Sequence, residues 1–249
     1  MIKKAVLPVA GFGTRFLPAS KAIPKEMLPI IDKPLLQYAV EEAINIGVDE
    51  IIFITSPEKY SIKKHFDKNT MFESRLKILG KTEMIKKLNP EVFHKIKFHY
   101  IYQKEQNGLG HAILQAQEVI GNDPFAVLLP DDLFFSKESC LDQLLISYQE
   151  TNASVIAVNK VNKEDINKYG VIKPGEIKNK AIQIEDIVEK PSYENAPSDI
   201  AVCGRYILKP SIFKFLNSTN FDDSGEIQLT DDIKALLVEE NVYARIYDG

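Results

Sequence analysis

Two glycines, an arginine and two lysines cluster near the start of the chain, in a stretch that suits neither a long helix nor a strand. The stretch is VAGFGTRFLPASKAIPKEMLP, from Val9 to Pro29. Its prolines interrupt a helix, and its apolar residues do not alternate as in a strand. Glycines let backbone N–H groups approach a bound group closely, and cationic side chains neutralise anions. The segment therefore predicts a loop that binds a phosphate-bearing ligand.

Three kinds of glycine-rich loop could serve this purpose. A dinucleotide fingerprint needs a third glycine where this chain has Phe16, and Pro18 opposes the helix that should follow. A Walker A loop needs Gly-Lys-Ser/Thr after its second glycine, which this segment lacks. There remains a loop in which Gly11 and Gly13 bring backbone N–H groups to a phosphate, while Arg15 and later lysines neutralise its charge.

Two neighbouring carboxylates, Asp131 and Asp132, follow the apolar run FAVLLP. This run predicts a buried strand, so both side chains are expected at the end of the sheet where ligands bind. Magnesium prefers one or two carboxylates completed by water and substrate phosphates. The pair predicts such a site, although Asp132 could equally form a turn or cap a helix.

The elements that must position these residues follow from the apolar pattern. Strands are predicted at 5–9, 50–56, 97–103 and 125–130, and helices at 32–47, 57–66 and 109–121, with Asp32 as the cap of the first. A lysine-rich helical insertion is expected between 67 and 95. Such alternation predicts an α/β fold with a mostly parallel sheet and helices on both faces. Closely spaced strand-like runs after residue 154 predict a mixed or antiparallel elaboration, followed by two final helices around Ser211 and Thr230.

Composition limits the class of protein. The 249 residues are 45% hydrophobic with a formal net charge of −4, which suits one domain and provides no basic field for nucleic acid or a membrane surface. Cys140 and Cys203 have no metal-site spacing and are expected to be core residues in a reducing compartment. The short apolar run at the start is interrupted by Pro8, so we expect no signal peptide and a cytoplasmic location.

Further motifs extend the pattern along the chain. The first segment, continued as GFGTRFLPASKAIPKEMLPIIDKPLLQY, resembles the signature of the sugar-1-phosphate nucleotidylyltransferases, and in particular the bacterial uridylyltransferases among them. The other matches follow in order: QNGLGHA, LLPDD, YGVI, VEKP, VCGRYIL and GEIQLTD. The resemblance implies a Rossmann-like fold, transfer of a uridylyl group from UTP to glucose 1-phosphate, Mg²⁺ as cofactor and a homo-oligomer.

The resemblance also assigns residue roles. It implies that Arg15 binds the outgoing pyrophosphate, that Lys25 meets the α-phosphate region and that Lys190 binds the sugar phosphate, with Asp131 as the metal ligand. The nucleotide-binding residues that it implies are Ala10, Gly11, Gly13, Thr14, Glu26, Gln103 and Gly108, and the sugar-phosphate-binding residues are Gly170, Glu189 and Lys190. Residues 1–150 would then bind the nucleotide and residues 151–249 the sugar phosphate, within a single domain.

Each role has a structural alternative. Glu26 could be a surface carboxylate, Gly108 and Gly170 could serve simple turns, and the sequence VEKP could be a charged strand end. His111 is expected to be a packed or capping residue, because the reaction needs no general base. At the level of function, the alternatives are a relative that uses dTTP and a non-catalytic protein that binds nucleotide sugars. The sequence does not rank glucose against galactose.

The chain departs from the family pattern at its end, where it stops at IYDG. The family continues into an Asp-Cys-Gly segment with a second metal-binding carboxylate and then into terminal helices involved in assembly. We therefore expect a truncated enzyme rather than a reduced relative with altered activity, and we assign no second metal ligand.

Overall fold

The computed structural model describes residues 1–219, 221–222 and 225–249. Its strands are β1 (Lys4–Pro8), β2 (Pro29–Ile30), β3 (Lys33–Pro34), β4 (Glu50–Thr55), β5 (Lys97–Tyr102), β6 (Phe125–Leu128), β7 (Ser154–Lys160), β8 (Gly170–Lys178), β9 (Ala181–Glu189), β10 (Ile200–Leu208) and β11 (Val242–Ile246). Its helices are α1 (Leu35–Asn45), α2 (Tyr60–Phe66), α3 (Thr70–Ile78), α4 (Thr82–Leu88), α5 (Gly108–Leu114), α6 (Gln117–Ile120), α7 (Cys140–Thr151), α8 (Ile212–Leu216) and α9 (Leu229–Leu236).

One large sheet runs through both halves of the chain in the order β5-β4-β1-β6-β10-β7-β11-β9-β8. The strands β5, β4, β1 and β6 are mutually parallel, as the sequence pattern predicts. Strand β10 then runs antiparallel to both β6 and β7, and β11 is parallel to β7 but antiparallel to β9. The predicted α/β fold and its mixed elaboration after residue 154 are therefore confirmed.

Each face of the sheet carries its own apolar core. Successive strand residues point to opposite faces, so Val6 of β1 packs into one core and Leu7 into the other. Helix α1 covers the second core with Leu36 and Val40, whereas α5, α8 and α9 cover the first. Helices therefore lie on both faces, and within the described residues no helix combines the length and the apolar character needed to cross a bilayer.

Several predicted boundaries were wrong. Helix α1 begins at Leu35 with Pro34 as its cap instead of Asp32, because Lys33–Pro34 pairs with Pro29–Ile30 in a two-stranded ribbon. The helix predicted at 109–121 is two helices, α5 and α6. The two helices expected near the end exist as α8 and α9, but strand β11 follows them.

A buried guanidinium joins several of these elements. Arg205 of β10 is 1% exposed, and its Nε donates to Glu42 Oε2 of α1 at 2.9 Å. Its other nitrogens donate to the carbonyl oxygens of Leu129, Asp132 and Gly204 at 2.8–3.0 Å. The second oxygen of Glu42 accepts from the N–H of Leu141 in the first turn of α7. One ion pair thus fixes α1, α7 and β10 to the turn that follows β6.

We expect Arg205→Met to lower the free energy of unfolding by about 3–5 kcal/mol, because it leaves the Glu42 carboxylate buried without its cation. Urea denaturation measures the loss. The matched control is Arg75→Met on α3, where the side chain is exposed and makes no ion pair in the described part of the chain. Adding Glu42→Leu to Arg205→Met should recover much of the loss. Equal losses from Arg205→Met and Arg75→Met would contradict the interpretation.

Candidate active site

The glycine loop begins where β1 ends. The N–H of Val9 still donates to the carbonyl of Ile54 on the neighbouring strand at 2.8 Å, and the chain then turns away from the sheet. Gly13 adopts a left-handed backbone with φ of 67°. A Cβ atom at this position would also lie 3.3 Å from the Cβ and Cγ atoms of Lys25. Glycine is therefore required by both the turn and the close approach of the lysine stem.

The loop presents unpaired donors to its surroundings. The backbone N–H groups of Gly11, Phe12 and Gly13 donate to no acceptor within residues 1–219, 221–222 and 225–249. Thr14 and Arg15 follow in a short 3₁₀ turn, and the Arg15 guanidinium is exposed. Consecutive free N–H groups beside a cation form a concavity that suits anions. The preceding residue, Ala10, is buried at the base of this loop.

Lys25 and Asp131 meet across the space between the loop and β6. Their Nζ and Oδ2 atoms are 2.6 Å apart, and the Asp131 side chain remains 44% exposed. Within the described residues, no cluster of three or more histidine, cysteine or acidic side chains could hold a metal by itself. A single open carboxylate suits an ion that takes most of its remaining ligands from water and substrate phosphates, as Mg²⁺ does.

Asp132 has a different environment from its neighbour. Its Oδ2 accepts from the N–H of Gly204 at 2.9 Å, and its own N–H donates to the carbonyl of Leu129. Burial raises the pKa of Asp132, and the adjacent Asp131 raises it further. This carboxylate therefore fixes the turn against β10, which matches the turn alternative from the sequence and leaves Asp131 facing outwards.

Glu26 is buried beneath the loop and forms an ion pair. It is 1% exposed, and both of its carboxylate oxygens accept from Lys59 Nζ, at 2.9 and 3.0 Å. The same ammonium donates to the Gly11 carbonyl at 2.6 Å. The sequence alternative of a surface carboxylate was therefore wrong. Lys59 itself was missed, because nothing in PEKYSIKK distinguishes it from the other lysines of that run.

A buried amide lies at the end of β5. Gln103 is 4% exposed, and its backbone N–H donates to the carbonyl of Thr55 at the end of β4. Its side-chain Nε2 lies 2.9 Å from Nδ1 of His111, and Nε2 of Gln115 lies 3.1 Å from the other ring nitrogen. A neutral ring accepts at one nitrogen only. In the tautomer that accepts at Nδ1, the Gln103 nitrogen is bound to the ring and its carbonyl oxygen is available to a ligand. His111 is a packed residue, as the sequence predicts, and it orients a predicted site residue.

The loop at Gly108 is packed against the segment before α9. The carbonyl of Ile227 accepts from the N–H of Gly110, and the N–H of Ile227 donates to the carbonyl of Asn107, both at 2.8 Å. A Cβ atom at Gly108 would lie 2.6 Å from the Ile227 carbonyl oxygen, and Gly108 has a φ of 94°. Gly108 is therefore required by its backbone conformation and by contact, and Gly110 by contact, because a Cβ atom there would lie 2.7 Å from Ile227 Cγ2. Asp232 of α9, which is fully buried, lies beneath Gly110.

The three residues predicted to bind the sugar phosphate form one group. Gly170 pairs with Glu189 across β8 and β9, and Lys190 Nζ lies 3.1 Å from Glu189 Oε1. Lys190 has a φ of 42°, and its N–H donates to the carbonyl of Tyr169. A Cβ atom at Gly170 would lie 3.0 Å from the Thr230 hydroxyl. Thr230, which the sequence analysis did not single out, therefore lies beside this group.

The sheet brings this group towards the aspartates. An additional pairing places Val171 of β8 opposite Ala201 of β10, and Asp132 contacts Gly204 on the same strand. Ala201 and Gly204 are three residues apart along β10, a distance on the order of 10 Å in a strand. Burial raises the pKa of Tyr206 on β10, and the charges of Asp132 and Glu189 both add to the shift. The two groups therefore face a common region beside β10.

A separate cavity lies beneath the insertion. It has a volume of about 390 Å³ and is lined by His65, Phe66, Phe93, Phe98 and residues near them. None of the predicted site residues borders it. Apolar cavities are common ligand sites, but the unpaired donors, the cations and the open carboxylate all lie at the glycine loop. The chemistry therefore favours the loop as the active site.

Comparison with known proteins agrees with this geometry. The sequence profile of the family described as Nucleotidyl transferase matches residues 4–249. The chain belongs to this family. Among its relatives, "UTP--glucose-1-phosphate uridylyltransferase YngB" of Bacillus subtilis is 47% identical over 248 residues, which is 100% of this chain and 83% of the relative. "UTP--glucose-1-phosphate uridylyltransferase 1" of Staphylococcus saprophyticus is 46% identical, over 100% of this chain and 86% of the relative.

Solved structures of nucleotidyl transferases share the fold. The crystal structure of UDP-glucose pyrophosphorylase complexed with UDP-glucose has a TM-score of 0.89 and 44% identity, and the match covers 100% of this chain and 92% of that one. The apo form of UDP-glucose pyrophosphorylase has a TM-score of 0.92 with the same coverage and 43% identity. This agreement confirms the Rossmann-like fold that the resemblance implies.

We expect the buried carboxyl group of Asp232 to make the free energy of unfolding depend on pH in the acidic range. Burial raises the pKa of Asp232 from 3.8 to about 6, since one of its oxygens has no hydrogen-bond partner in the described part of the chain. Between these values the native state binds more protons than the unfolded state. The stabilisation is therefore complete below about pH 4 and is lost as the pH rises through about 6.

Urea denaturation between pH 4 and pH 7 tests this expectation. The stability of the unmodified protein relative to Asp232→Asn should fall as the pH rises across that interval. Asp199→Asn, at an exposed carboxylate, is the control for the loss of a carboxylate that is not buried. A difference between Asp232→Asn and the unmodified protein that is constant with pH would overturn the assignment.

Proposed function

We propose that the chain transfers a uridylyl group from UTP to glucose 1-phosphate, forming UDP-glucose and pyrophosphate. The observation that carries this proposal is the Lys25–Asp131 pair beside a glycine loop with free N–H groups. A cation for phosphate and a carboxylate for a metal ion lie within one hydrogen bond of each other. The names of relatives that are 46–47% identical over the whole chain support the choice of UTP and glucose 1-phosphate.

The proposed reaction brings two anions together. A phosphate oxygen of glucose 1-phosphate attacks the α-phosphorus of UTP, a new O–P bond forms, and the bond to the β-phosphate oxygen breaks. Two like charges about 4 Å apart repel by on the order of 4 kcal/mol at an effective dielectric constant near 20. The attacking oxygen is already ionised, so no general base is needed. Positioning and charge stabilisation must therefore lower the barrier.

Separate cations would face the separate phosphates. Lys25 lies nearest to the carboxylate that would hold the metal, so it would face the α-phosphate. Arg15 is exposed at the first turn of the loop and would bind the leaving pyrophosphate. Lys190 would bind the phosphate of the sugar, with Glu189 and the backbone of Gly170 beside the sugar hydroxyls. These cations would offset the repulsion locally in a chain whose net charge is −4.

Enzymes of this family generally use a divalent metal, and we propose Mg²⁺ held by Asp131. The donor set fits, because one carboxylate together with substrate phosphates and water is the coordination that Mg²⁺ accepts readily. The ion would supply positive charge at the phosphate oxygens. Addition of a chelator should abolish turnover, and Mg²⁺ in excess should restore it.

The base would lie near the buried amide. An amide carbonyl accepts from the N3–H of uracil, and the Gln103 nitrogen is already bound to His111. Gly108 and the loop beside it would pack against the ring, with Ala10, Gly11, Gly13 and Thr14 along the nucleotide. The Glu26 carboxylate would contribute from beneath the loop. Thymine carries the same N3–H, so a dTTP-using enzyme is the second candidate.

Three further proposals concern the whole protein. We infer a cytoplasmic location, which the lack of a bilayer-spanning helix in the described residues supports. We also infer a homo-oligomer and a division near residue 150 into a nucleotide-binding part and a sugar-phosphate-binding part. The division is supported by the placement of the glycine loop in the first part and of Glu189 and Lys190 in the second.

Release of pyrophosphate by the purified chain tests the activity. Glucose 1-phosphate and Mg²⁺ are supplied with UTP, dTTP, ATP, CTP or GTP in parallel, and galactose 1-phosphate replaces glucose 1-phosphate in a second series. We expect release that requires the sugar phosphate and is fastest with UTP. Faster release with dTTP would favour the second candidate. Binding of UDP-glucose without release from any nucleotide would favour a non-catalytic binding protein.

We expect Lys25→Ala to lower kcat/KM by about 100-fold, which corresponds to a loss of roughly 3 kcal/mol of transition-state stabilisation. The physical reason is the removal of a preorganised cation from the reacting phosphate. Steady-state kinetics measure the loss. Lys87→Ala, at an exposed position of α4, is the control and should remain near the unmodified rate. Unchanged turnover in a folded Lys25→Ala protein would remove Lys25 from the mechanism.

A further inference from the structure

One ammonium beneath the glycine loop is buried and bound to the loop backbone and to a carboxylate. Lys59 is the residue immediately before α2 and is 8% exposed. Its Nζ donates to the carbonyl oxygen of Gly11 at 2.6 Å and to both carboxylate oxygens of Glu26, at 2.9 and 3.0 Å. The two Glu26 oxygens belong to one carboxylate and lie in nearly the same direction from Nζ, so one of the three ammonium donors can serve both of them. The burial of Lys59 keeps the ammonium on the Gly11 carbonyl and the Glu26 carboxylate.

The contact with Gly11 fixes the orientation of a peptide plane. In a trans peptide, the carbonyl and the N–H of the next residue point in opposite directions. The Gly11 carbonyl points inwards to Lys59, so the N–H of Phe12 points to the other side. That N–H has no acceptor among the residues that the structure describes, and the Phe12 side chain is exposed. The lysine thus holds a free donor towards the surface of the loop.

The charge of Lys59 is compensated within the site. Burial lowers the pKa of the Lys59 ammonium, and the Glu26 carboxylate opposes that shift. The pair as a whole adds little net positive charge to a bound phosphate. Lys25, by contrast, is partly exposed and ends at an open carboxylate. The two lysines therefore have different roles, since Lys25 faces the ligand region and Lys59 holds the backbone around that region.

We propose that Lys59 is a positioning residue for phosphate binding, which sets the glycine loop through the Gly11 carbonyl so that the backbone N–H groups from Gly11 to Gly13 face the phosphates of the nucleotide. The proposal rests on the proposed uridylyl transfer. It predicts that removal of Lys59 weakens the binding of the nucleotide phosphates, because the loop N–H groups are then misplaced. The sugar-phosphate group at Glu189 and Lys190 should remain intact.

The test uses the reverse reaction, in which inorganic pyrophosphate and UDP-glucose form UTP. Pyrophosphate carries no base, so its KM is insensitive to base recognition. We expect Lys59→Met to raise the KM for pyrophosphate, and for UTP in the forward direction, by about 10- to 100-fold. The KM for glucose 1-phosphate should change by less than about 2-fold. Lys64→Met, at an exposed lysine of α2, should match the unmodified protein.

A double variant separates positioning from simple neutralisation of Glu26. Glu26→Met with Lys59→Met removes both buried charges, so it should recover most of the stability that Lys59→Met loses. If Lys59 positions the loop, the double variant keeps the raised KM for pyrophosphate. If Lys59 only neutralises Glu26, the double variant regains the unmodified KM for pyrophosphate, which carries no base for Glu26 to contact, and the proposal is wrong. The double variant also tests the proposal if Lys59→Met alone does not fold.

The outcomes distinguish the two proposals. Failure of the unmodified protein to convert UDP-glucose and pyrophosphate would reject the proposed function. Normal conversion with an unchanged KM for pyrophosphate in Lys59→Met would reject only the positioning role. Calorimetric titration of the same variants with pyrophosphate and Mg²⁺ makes the comparison without turnover. Weaker binding in Lys59→Met and in the double variant, but not in Lys64→Met, supports the role of Lys59, and equal binding in all of them rejects it.

Discussion

The geometry of the active-site edge depends on one buried ion pair, between Arg205 and Glu42. Removing two charges from water is costly, and such a pair is tolerated only when further hydrogen bonds satisfy both partners. Here the planar guanidinium donates to Glu42 and to three carbonyl oxygens, including those of Leu129 and Asp132. A lysine has no such fixed set of donors. The backbone on both sides of Asp131 is therefore held by the core, while its carboxylate faces the ligand region.

The same division of roles occurs at the glycine loop. Buried polar groups fix the backbone, and exposed charges face the region where substrates would bind. Lys59 and Glu26 neutralise each other beneath the loop, whereas Arg15 and Lys190 are accessible. Exposed charges incur little desolvation cost in the folded protein, but water weakens their fields. A bound substrate that excludes water strengthens those fields where charge develops. Because the buried, mutually neutralised pair holds the loop rigidly, the fields of the exposed charges can strengthen without any movement of the loop.

Most of the fold could be predicted from the sequence because the signals are local. The continuous apolar run of β4 and the periodic face of α1 each identify an element without knowledge of its partners. The start of α1 was wrong because a short local hairpin, Pro29–Ile30 with Lys33–Pro34, displaced the expected cap. In the site, the resemblance to the family motifs pointed to Lys25 and Asp131, which the structure brings together. The residues that support them were missed, because Glu42 and Arg205 are 163 positions apart and no local pattern marks such a pair.

Burial also separates the ion pairs that can exchange partners from those that cannot. In the Lys25–Asp131 pair the carboxylate is 44% exposed and the lysine side chain 20% exposed, so water competes for the carboxylate and the pair contributes less to stability than a fully buried one. Breaking it to give Lys25 a phosphate and Asp131 a metal ion, as we propose, would therefore cost less than breaking a buried pair. Separating Lys59 from Glu26 or Arg205 from Glu42 would instead leave a charge buried alone, at a cost of several kcal/mol. The exposed pair can thus change partners during a reaction while the buried pairs keep the surrounding backbone in place.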